Sequence, residues 1–299
     1  MAEKSRSSGL FSVGDDVYGW DDVVRLAEAR GEWEALAGQV RAGTAALAEL
    51  GDGLEEEEVE AAARRFRYDR DLLAADELAG WLGRHELTTE DWIAYLQRAL
   101  ARDRLPEVED SAEHAGEAAI WAEGICSGRL EELARDLAQR AAVSPGSPVE
   151  RLDATFDDFC AGAVDQMAEA REVEANRLEW LRFTYEAVVA GDEGAAHETV
   201  LCLRTDGEPL GAVAERAGMD VEVGDCWLDE LDPGLGTRFL AAAAGDIVGP
   251  VPVEEGFLVA HVSSKTAPTL DDADVRARAH EAALARMVGR MVADRVVWL

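Results

Sequence analysis

The residues that could do chemistry in this sequence are few and far apart. The 299-residue chain has four cysteines and five histidines, and no two cysteines show the Cys-x-x-Cys spacing that binds zinc or supports disulfide exchange. The cysteines are Cys126, Cys160, Cys202 and Cys226. The sequence also lacks a glycine-rich phosphate loop, a nucleophile elbow and a His-Glu-x-x-His motif. We therefore predict no metal and no cofactor, and we expect reduced, mostly buried thiols.

The remaining candidates have structural interpretations. His261 falls in the last predicted strand, where a structural or surface histidine is more common than a catalytic one. Cys226 precedes Trp227, which is typical of a core thiol. The pair Asp271 and Asp272 precedes a long helix, where it would cap the helix rather than bind a metal. We therefore name no catalytic residue.

The charge of the chain limits its partners. It has 62 acidic and 29 basic residues, and its formal net charge is −33. Such a field repels nucleic-acid phosphates and anionic membrane surfaces and attracts basic or neutral peptides, although acidity can also serve solubility alone. No stretch approaches the roughly 18 apolar residues of a membrane helix, and we see no signal peptide at the N-terminus. We therefore predict a cytoplasmic protein without nucleic-acid or membrane partners.

A hairpin near the end of the chain organises the predicted architecture. Leu240 to Val262 reads LAAAAGDIVGPVPVEEGFLVAHV, which predicts a helix end, a Gly-Pro turn, a strand, an acidic glycine turn and a last strand. Before it, Thr199–Leu203 predicts a buried strand, a short helix ends at Gly218, and Val221–Val223 predicts another strand. A second short helix is predicted from Leu235 to Ala244. Residues 195–265 thus predict a small α+β unit around an antiparallel sheet.

Apart from residues 1–20, the rest of the chain is predicted to be helical. Residues 1–20 are interpreted as a flexible tail, and residues 21–190 as a helical domain. Within it, Thr88 and Asp91 predict a capping box, and the spacing of Leu178, Leu181, Tyr185 and Val188 predicts a helix. Residues 266–299 are predicted to form a long helix. Its apolar stripe, from Leu284 to Val296, is predicted to pack on the helical domain. The predicted fold class is α+β.

The hairpin sequence resembles the last third of a parvulin domain, the peptidyl-prolyl isomerase module of SurA/PpiC proteins. That family typically reads Gly-Glu-Val-Ser-Gly-Pro-Val and then Gly-Tyr-His-Ile-Ile-Lys-Val in this region. The runs that carry the wider resemblance are Trp81 to Leu105, CLRTDGEPL from Cys202 and LAAAAGDIVGPV from Leu240. The chain as a whole resembles SurA/PpiC-related proteins of ribosomal peptide maturation. The resemblance implies a parvulin-like sheet domain and a C-terminal helix that returns to the helical domain.

The resemblance also implies two histidines, which this sequence lacks at the expected positions. The last-strand histidine should follow Gly256-Phe257, where the chain has Leu258. The first-strand histidine would fall within Thr199–Leu201, and the nearby His197 does not fit the register. His261 stands where the family usually has a lysine. An acid or cysteine follows the first helix in the family, and either Asp220 or Cys226 could take that place.

These observations favour a peptide-binding chaperone or partner protein with a degenerate parvulin domain. The residues predicted to line its groove are Trp227, Leu240, Phe257, Leu258, Val259 and His261. The implied partners are a precursor peptide, made ribosomally and then modified, and the modifying enzymes of the same pathway. One alternative is an active isomerase with relocated groups. Another is a zinc-free, lanthionine-forming cyclase or a component of a lanthipeptide synthetase complex.

Overall fold

The chain forms two compact units. The computed structural model describes residues 9–51, 53–106, 108 and 115–299. Met1–Ala161 and Met287–Leu299 make the first unit, and Gly162–Arg286 makes the second. Both contain helices and an antiparallel sheet, which confirms the predicted α+β class. Among the described helices, none combines the length and the apolar character that crossing a bilayer requires.

The first unit is mostly helical. Its helices are α1 (Trp20–Ala29), α2 (Glu32–Leu50), α3 (Glu56–Asp69), α4 (Ala75–Arg84), α5 (Thr89–Arg104), α6 (Glu117–Cys126), α7 (Arg129–Val143) and α8 (Val149–Ala163), the last of which ends just inside the second unit. The predicted capping box starts α5: the Asp91 amide donates to Thr88 Oγ1 at 3.1 Å, and the Thr88 amide donates to Asp91 Oδ2 at 2.9 Å. Trp92 and Leu96 of that helix are buried.

A three-stranded sheet completes the first unit and corrects the prediction of a flexible tail. Its strands are β1 (Gly9–Val13), β2 (Asp16–Gly19) and β7 (Val296–Trp298), in the order β2-β1-β7. Phe11 is fully buried and stacks on Tyr18 at 5.0 Å between ring centroids. The alternation of Phe11 and Val13 toward the core makes this segment a strand. Residues 1–8 lie outside the described residues.

The second unit is built on a four-stranded antiparallel sheet in the order β4-β3-β6-β5. Its strands are β3 (Arg182–Ala190), β4 (Glu222–Trp227), β5 (Ile247–Val253) and β6 (Gly256–Thr266), and its helices are α9 (Gln166–Ala175), α10 (Glu193–Leu201), α11 (Leu210–Ala217), α12 (Pro233–Ala241) and the first part of α13 (Ala273–Arg295). The predicted hairpin turn is confirmed, with Val253 paired to Gly256 across it, but the Gly249-Pro250 turn predicted before the strand is wrong, because this pair lies inside β5 at an irregularity in its pairing. Residues 287–299, the end of α13 and all of β7, belong to the first unit.

In two segments of the second unit, the observed secondary structure differs from the predicted one. The segment that contains Tyr185 and Val188 is strand β3 rather than a helix, so the second unit begins well before residue 195. The segment Thr199–Leu203 is helical rather than a strand. Asp192 explains this difference, because its carboxylate accepts the Ala195 amide at 2.9 Å and so caps α10.

Strand β7 should be essential for the first unit. Deleting residues 296–299 removes the strand that pairs with Phe11 and Val13. We expect the free energy of unfolding of the first unit to fall by about 2–3 kcal/mol, because each backbone hydrogen bond contributes about 1 kcal/mol to stability. Hydrogen exchange at Leu10 and Ser12, whose backbone groups face β7, should accelerate, whereas exchange in β3 and β6 should not change.

The matched control is Leu299→Ser, which changes a side chain that is 70% exposed and keeps the backbone pairing. Unchanged protection of Leu10 and Ser12 in the deletion variant would contradict the role given to β7.

Candidate functional site

The two faces of the second sheet pack against different helices. On one face, Phe183 and Ala187 of β3 and Ala260 of β6 form a buried cluster with Phe239 of α12. On the other face, Val188 and Val259 cluster with residues of α10 and α11. Successive residues of a strand point to opposite faces, so alternate residues of β3 and β6 belong to the two clusters.

A cavity of about 640 Å3 lies on the face of the sheet that packs against α12, which we call the α12 face. It lies at the end of the sheet that contains the turn between β5 and β6. We call it the Leu258 pocket. Its lining residues are Ala187, Val189, Gly191, Gly218, Met219, Asp220, Val221, Glu222, Glu255 and Leu258. Val189 pairs with Leu258, and Ala187 pairs with Glu222, so adjacent rows of three strands contribute to one surface. The central part of this surface is apolar.

Two turns place the remaining walls of the Leu258 pocket. Gly218 adopts the left-handed conformation with φ of 67°, and the Met219 amide donates to Ala214 O at 2.9 Å, which ends α11. The chain then turns along the pocket into β4. At the hairpin, a Cβ atom on Gly256 would lie 2.3 Å from Ala190 O. Only glycine permits this close approach, which brings the turn residue Glu255 to the pocket.

The side chains of the Leu258 pocket offer little catalytic chemistry. Carboxylates are its ionisable groups, and no lining side chain carries an N–H or O–H donor apart from a carboxyl that is protonated. Tyr185 lies two residues before Ala187 on the same strand, and burial raises the pKa of its phenol, which therefore stays protonated at neutral pH and cannot act as a base. The lining can bind a side chain, but its side chains offer no N–H or hydroxyl donor to polarise a carbonyl group.

The six residues predicted to line one groove are divided among different places. Leu258 packs on the α12 face, whereas Phe257 and Val259 pack on the opposite face. Trp227 lies in a separate cluster with Trp180, Val275 and Ala279. Leu240 lies on α12, and its carbonyl oxygen accepts a hydrogen bond from Lys265 Nζ at 2.5 Å. The prediction of a single groove failed because neighbouring strand residues point to opposite faces.

The structure separates the two candidates for the acid or cysteine position. Asp220 lines the Leu258 pocket, whereas Cys226 lies opposite Phe183, farther along β4. Burial, with the nearby charges of Glu230 and Asp225, raises the pKa of the Cys226 thiol to about 11. Such a thiol is protonated at neutral pH and is a weak nucleophile.

The structure also shows where the expected histidine position of the first strand, His197 and His261 lie. The segment from Thr199 is in α10, so the first strand of the sheet is β3, which contains no histidine. The Nδ1 atom of His197 lies 2.9 Å from Glu193 O on the exposed surface of α10. His261 pairs with Glu186 and Ile247 and lines a different cavity, of about 860 Å3.

The larger cavity has polar walls, and two of its charged side chains bond to backbone groups. Arg204 donates to Ile247 O at 2.7 Å, and Asp246 accepts the Ala243 amide at 2.8 Å. Beside it, the ligand-type atoms of Cys202, Asp206 and Glu208 lie within 4.8 Å of one another. Arg216 donates to Glu208 at 2.6 Å and to Cys202 Sγ at 3.7 Å. The guanidinium group already supplies a cation to this trio, so we assign no metal site there.

Sequence reasoning missed most of the Leu258 pocket. It did not identify Ala187 and Val189 because β3 was interpreted as a helix, and it gave no role to Glu222 or Glu255. The signal was present in Gly191-Asp192, a turn followed by a good helix cap, which would have ended one element and started the next. The approach of Glu255 to Asp220 and Glu222 had no sequence signal, because Glu255 lies in a separate segment.

No protein-family model matches this sequence, and no curated protein sequence matches it. Solved structures similar to the chain include PrsA, a peptidylprolyl isomerase from Bacillus cereus, at 10% identity over 97% of this chain and 91% of that chain, with a TM-score of 0.30. The foldase protein PrsA from Streptococcus pneumoniae is 11% identical over 96% and 93% of the two chains, with a TM-score of 0.31. A SurA-like chaperone from Campylobacter jejuni is 10% identical over 98% and 99%, with a TM-score of 0.22. Chains that align at these TM-scores and identities need not share a fold or a function.

Proposed function

We propose that this chain is a chaperone-like, peptide-binding protein whose second unit holds an extended segment of its partner in the Leu258 pocket. The observation that carries the proposal is the pocket itself. Val189 and Leu258 pair across β3 and β6 and leave an accessible apolar surface within a cavity of about 640 Å3. A cavity of this size suits a ligand of a few side chains.

The chemistry of the Leu258 pocket favours binding over proline isomerisation. Rotation about a peptide bond has a barrier of about 18–20 kcal/mol, and catalysis needs groups that stabilise the twisted amide. Leu258 occupies the position where parvulins carry a histidine, and β3 supplies none. We therefore propose a degenerate parvulin-like domain that retains a binding surface without the polar pair.

We place this activity in the maturation of a ribosomally made, post-translationally modified peptide. The resemblance of the Trp81–Leu105 run and of the hairpin to SurA/PpiC-related maturation proteins supports that setting. In this proposal, the precursor peptide is the bound partner and the modifying enzymes of its pathway act on it while it is held. The acidic surface of the chain, with a net charge of −33, would attract a basic or neutral precursor.

Peptide binding should depend on the apolar centre of the Leu258 pocket. We expect Leu258→Ser to weaken the binding of short, extended, fluorescein-labelled peptides about five- to tenfold, because it replaces apolar contact area with a hydroxyl group. Fluorescence anisotropy measures the affinity.

The control is Val223→Ser, which changes an apolar side chain of the same sheet that is 70% exposed and does not line the pocket. Equal losses in the two variants would show that peptides bind elsewhere on the unit.

Isomerase activity should be absent or very low. In a protease-coupled assay with a Xaa-Pro tetrapeptide, we expect no acceleration comparable to that of an ordinary parvulin, which serves as the positive control. Leu258→His should not restore activity, because β3 still lacks the second histidine. A parvulin-like rate for the unmodified chain would favour the alternative of an active isomerase.

Reconstitution tests the proposed setting and the cyclase alternative together. We expect the modifying enzymes of the pathway to modify the precursor faster when this chain is present. This chain alone should leave the mass and the ring pattern of the precursor unchanged. Mass spectrometry after thiol alkylation measures both. Ring formation by this chain alone on a dehydrated precursor would instead identify a cyclase.

A further inference from the structure

Three carboxylates surround the apolar centre of the Leu258 pocket. Asp220 lies in the loop after α11, Glu222 begins β4, and Glu255 lies in the turn of the hairpin. All three side chains are exposed. Within the described part of the chain, no lysine, arginine or histidine lines this pocket. The pocket therefore combines an apolar surface with a purely negative rim.

The carboxylates on this rim have no cationic partner in the described structure, unlike many others in the same unit. Glu208 pairs with Arg216 at 2.6 Å, and Asp229 pairs with Arg278 at 2.7 Å. Three carboxylates around one cavity, without cations paired to them, attract a positively charged group. The rim thus favours a positively charged occupant.

We infer that the Leu258 pocket selects peptide segments in which a lysine or an arginine lies one or two residues from an apolar side chain. This inference rests on the proposed function and adds the chemical class of the bound segment. The apolar side chain packs on Val189 and Leu258, and the cationic head reaches the rim. The aliphatic stem of a lysine or arginine can also contact apolar surface while its charge stays in water.

The test compares three labelled peptides that differ at one position beside a leucine: arginine, citrulline or glutamate. Citrulline keeps the length and planar shape of arginine but carries no charge. We expect the arginine peptide to bind about five- to tenfold more tightly than the citrulline peptide, and the glutamate peptide to bind least tightly. The preference should shrink between about 50 mM and about 500 mM salt, because exposed charges are screened.

A neutralised rim separates the pocket from the general acidity of the protein. The triple variant Asp220→Asn, Glu222→Gln, Glu255→Gln should bind the arginine and citrulline peptides with about equal affinity and so lose the preference for arginine. The matched control neutralises three exposed acids of the same unit outside the pocket: Glu198→Gln, Glu215→Gln and Glu281→Gln. It has the same net charge as the pocket variant and should keep the preference. If the triple variant unfolds, each single substitution should lower the preference about twofold.

The outcomes distinguish this inference from the proposed function. Equal affinity of the unmodified chain for the arginine and citrulline peptides, with both still weakened by Leu258→Ser, would overturn the charge selection and leave peptide binding intact. Equal loss of preference in the pocket and control variants would assign the effect to net charge and would also overturn it. Failure of all three peptides to bind would overturn the proposed function itself.

Discussion

Burial of both faces of the β3–β6 strand pair is the constraint on which the second unit depends. On one face, Phe183 meets Phe239 of α12 with ring centroids 5.5 Å apart. On the other, Val188 and Val259 are almost fully buried under α10 and α11. Because helices cover both faces, apolar side chains of this strand pair become accessible where the cover ends, as Val189 does. The Leu258 pocket lies at such a place, at the hairpin end of the sheet.

The two ends of this sheet have opposite electrostatic character. At one end, Arg182 and Arg278 lie over the ring of Trp227, at 5.2 and 4.9 Å from its centroid, and both arginines pair with carboxylates. At the other end, the acids around Leu258 have no such partners among the described residues. Arg182 and Arg278 therefore compensate carboxylates at the Trp227 end, and the accessible end keeps its negative charge. This asymmetry gives the pocket its proposed preference.

The first unit depends on a different constraint, the pairing of strands from distant parts of the chain. Phe11 of β1 lies against Trp298 of β7, with ring centroids 5.3 Å apart. The pairing closes a loop that contains nearly all of the sequence, and its entropic cost grows only slowly with loop length. Burial of Phe11 and Val13 stabilises the closed arrangement. Strand β1 is thus part of a core, and β7 pairs along it.

The sequence by itself determined the local features of this protein. Gly218 ends a helix, Thr88 and Asp91 start one, and the hairpin from Ile247 follows from turn residues between alternating apolar positions. Each depends on neighbours in sequence, so it could be predicted. The tertiary structure decided that the segment around Tyr185 is a strand, because its pairing with β4 and β6 outweighs its helical spacing. It alone brought Asp220, Glu222 and Glu255 to one pocket, because strand register and the close approach at Gly256 set distances that no single segment contains.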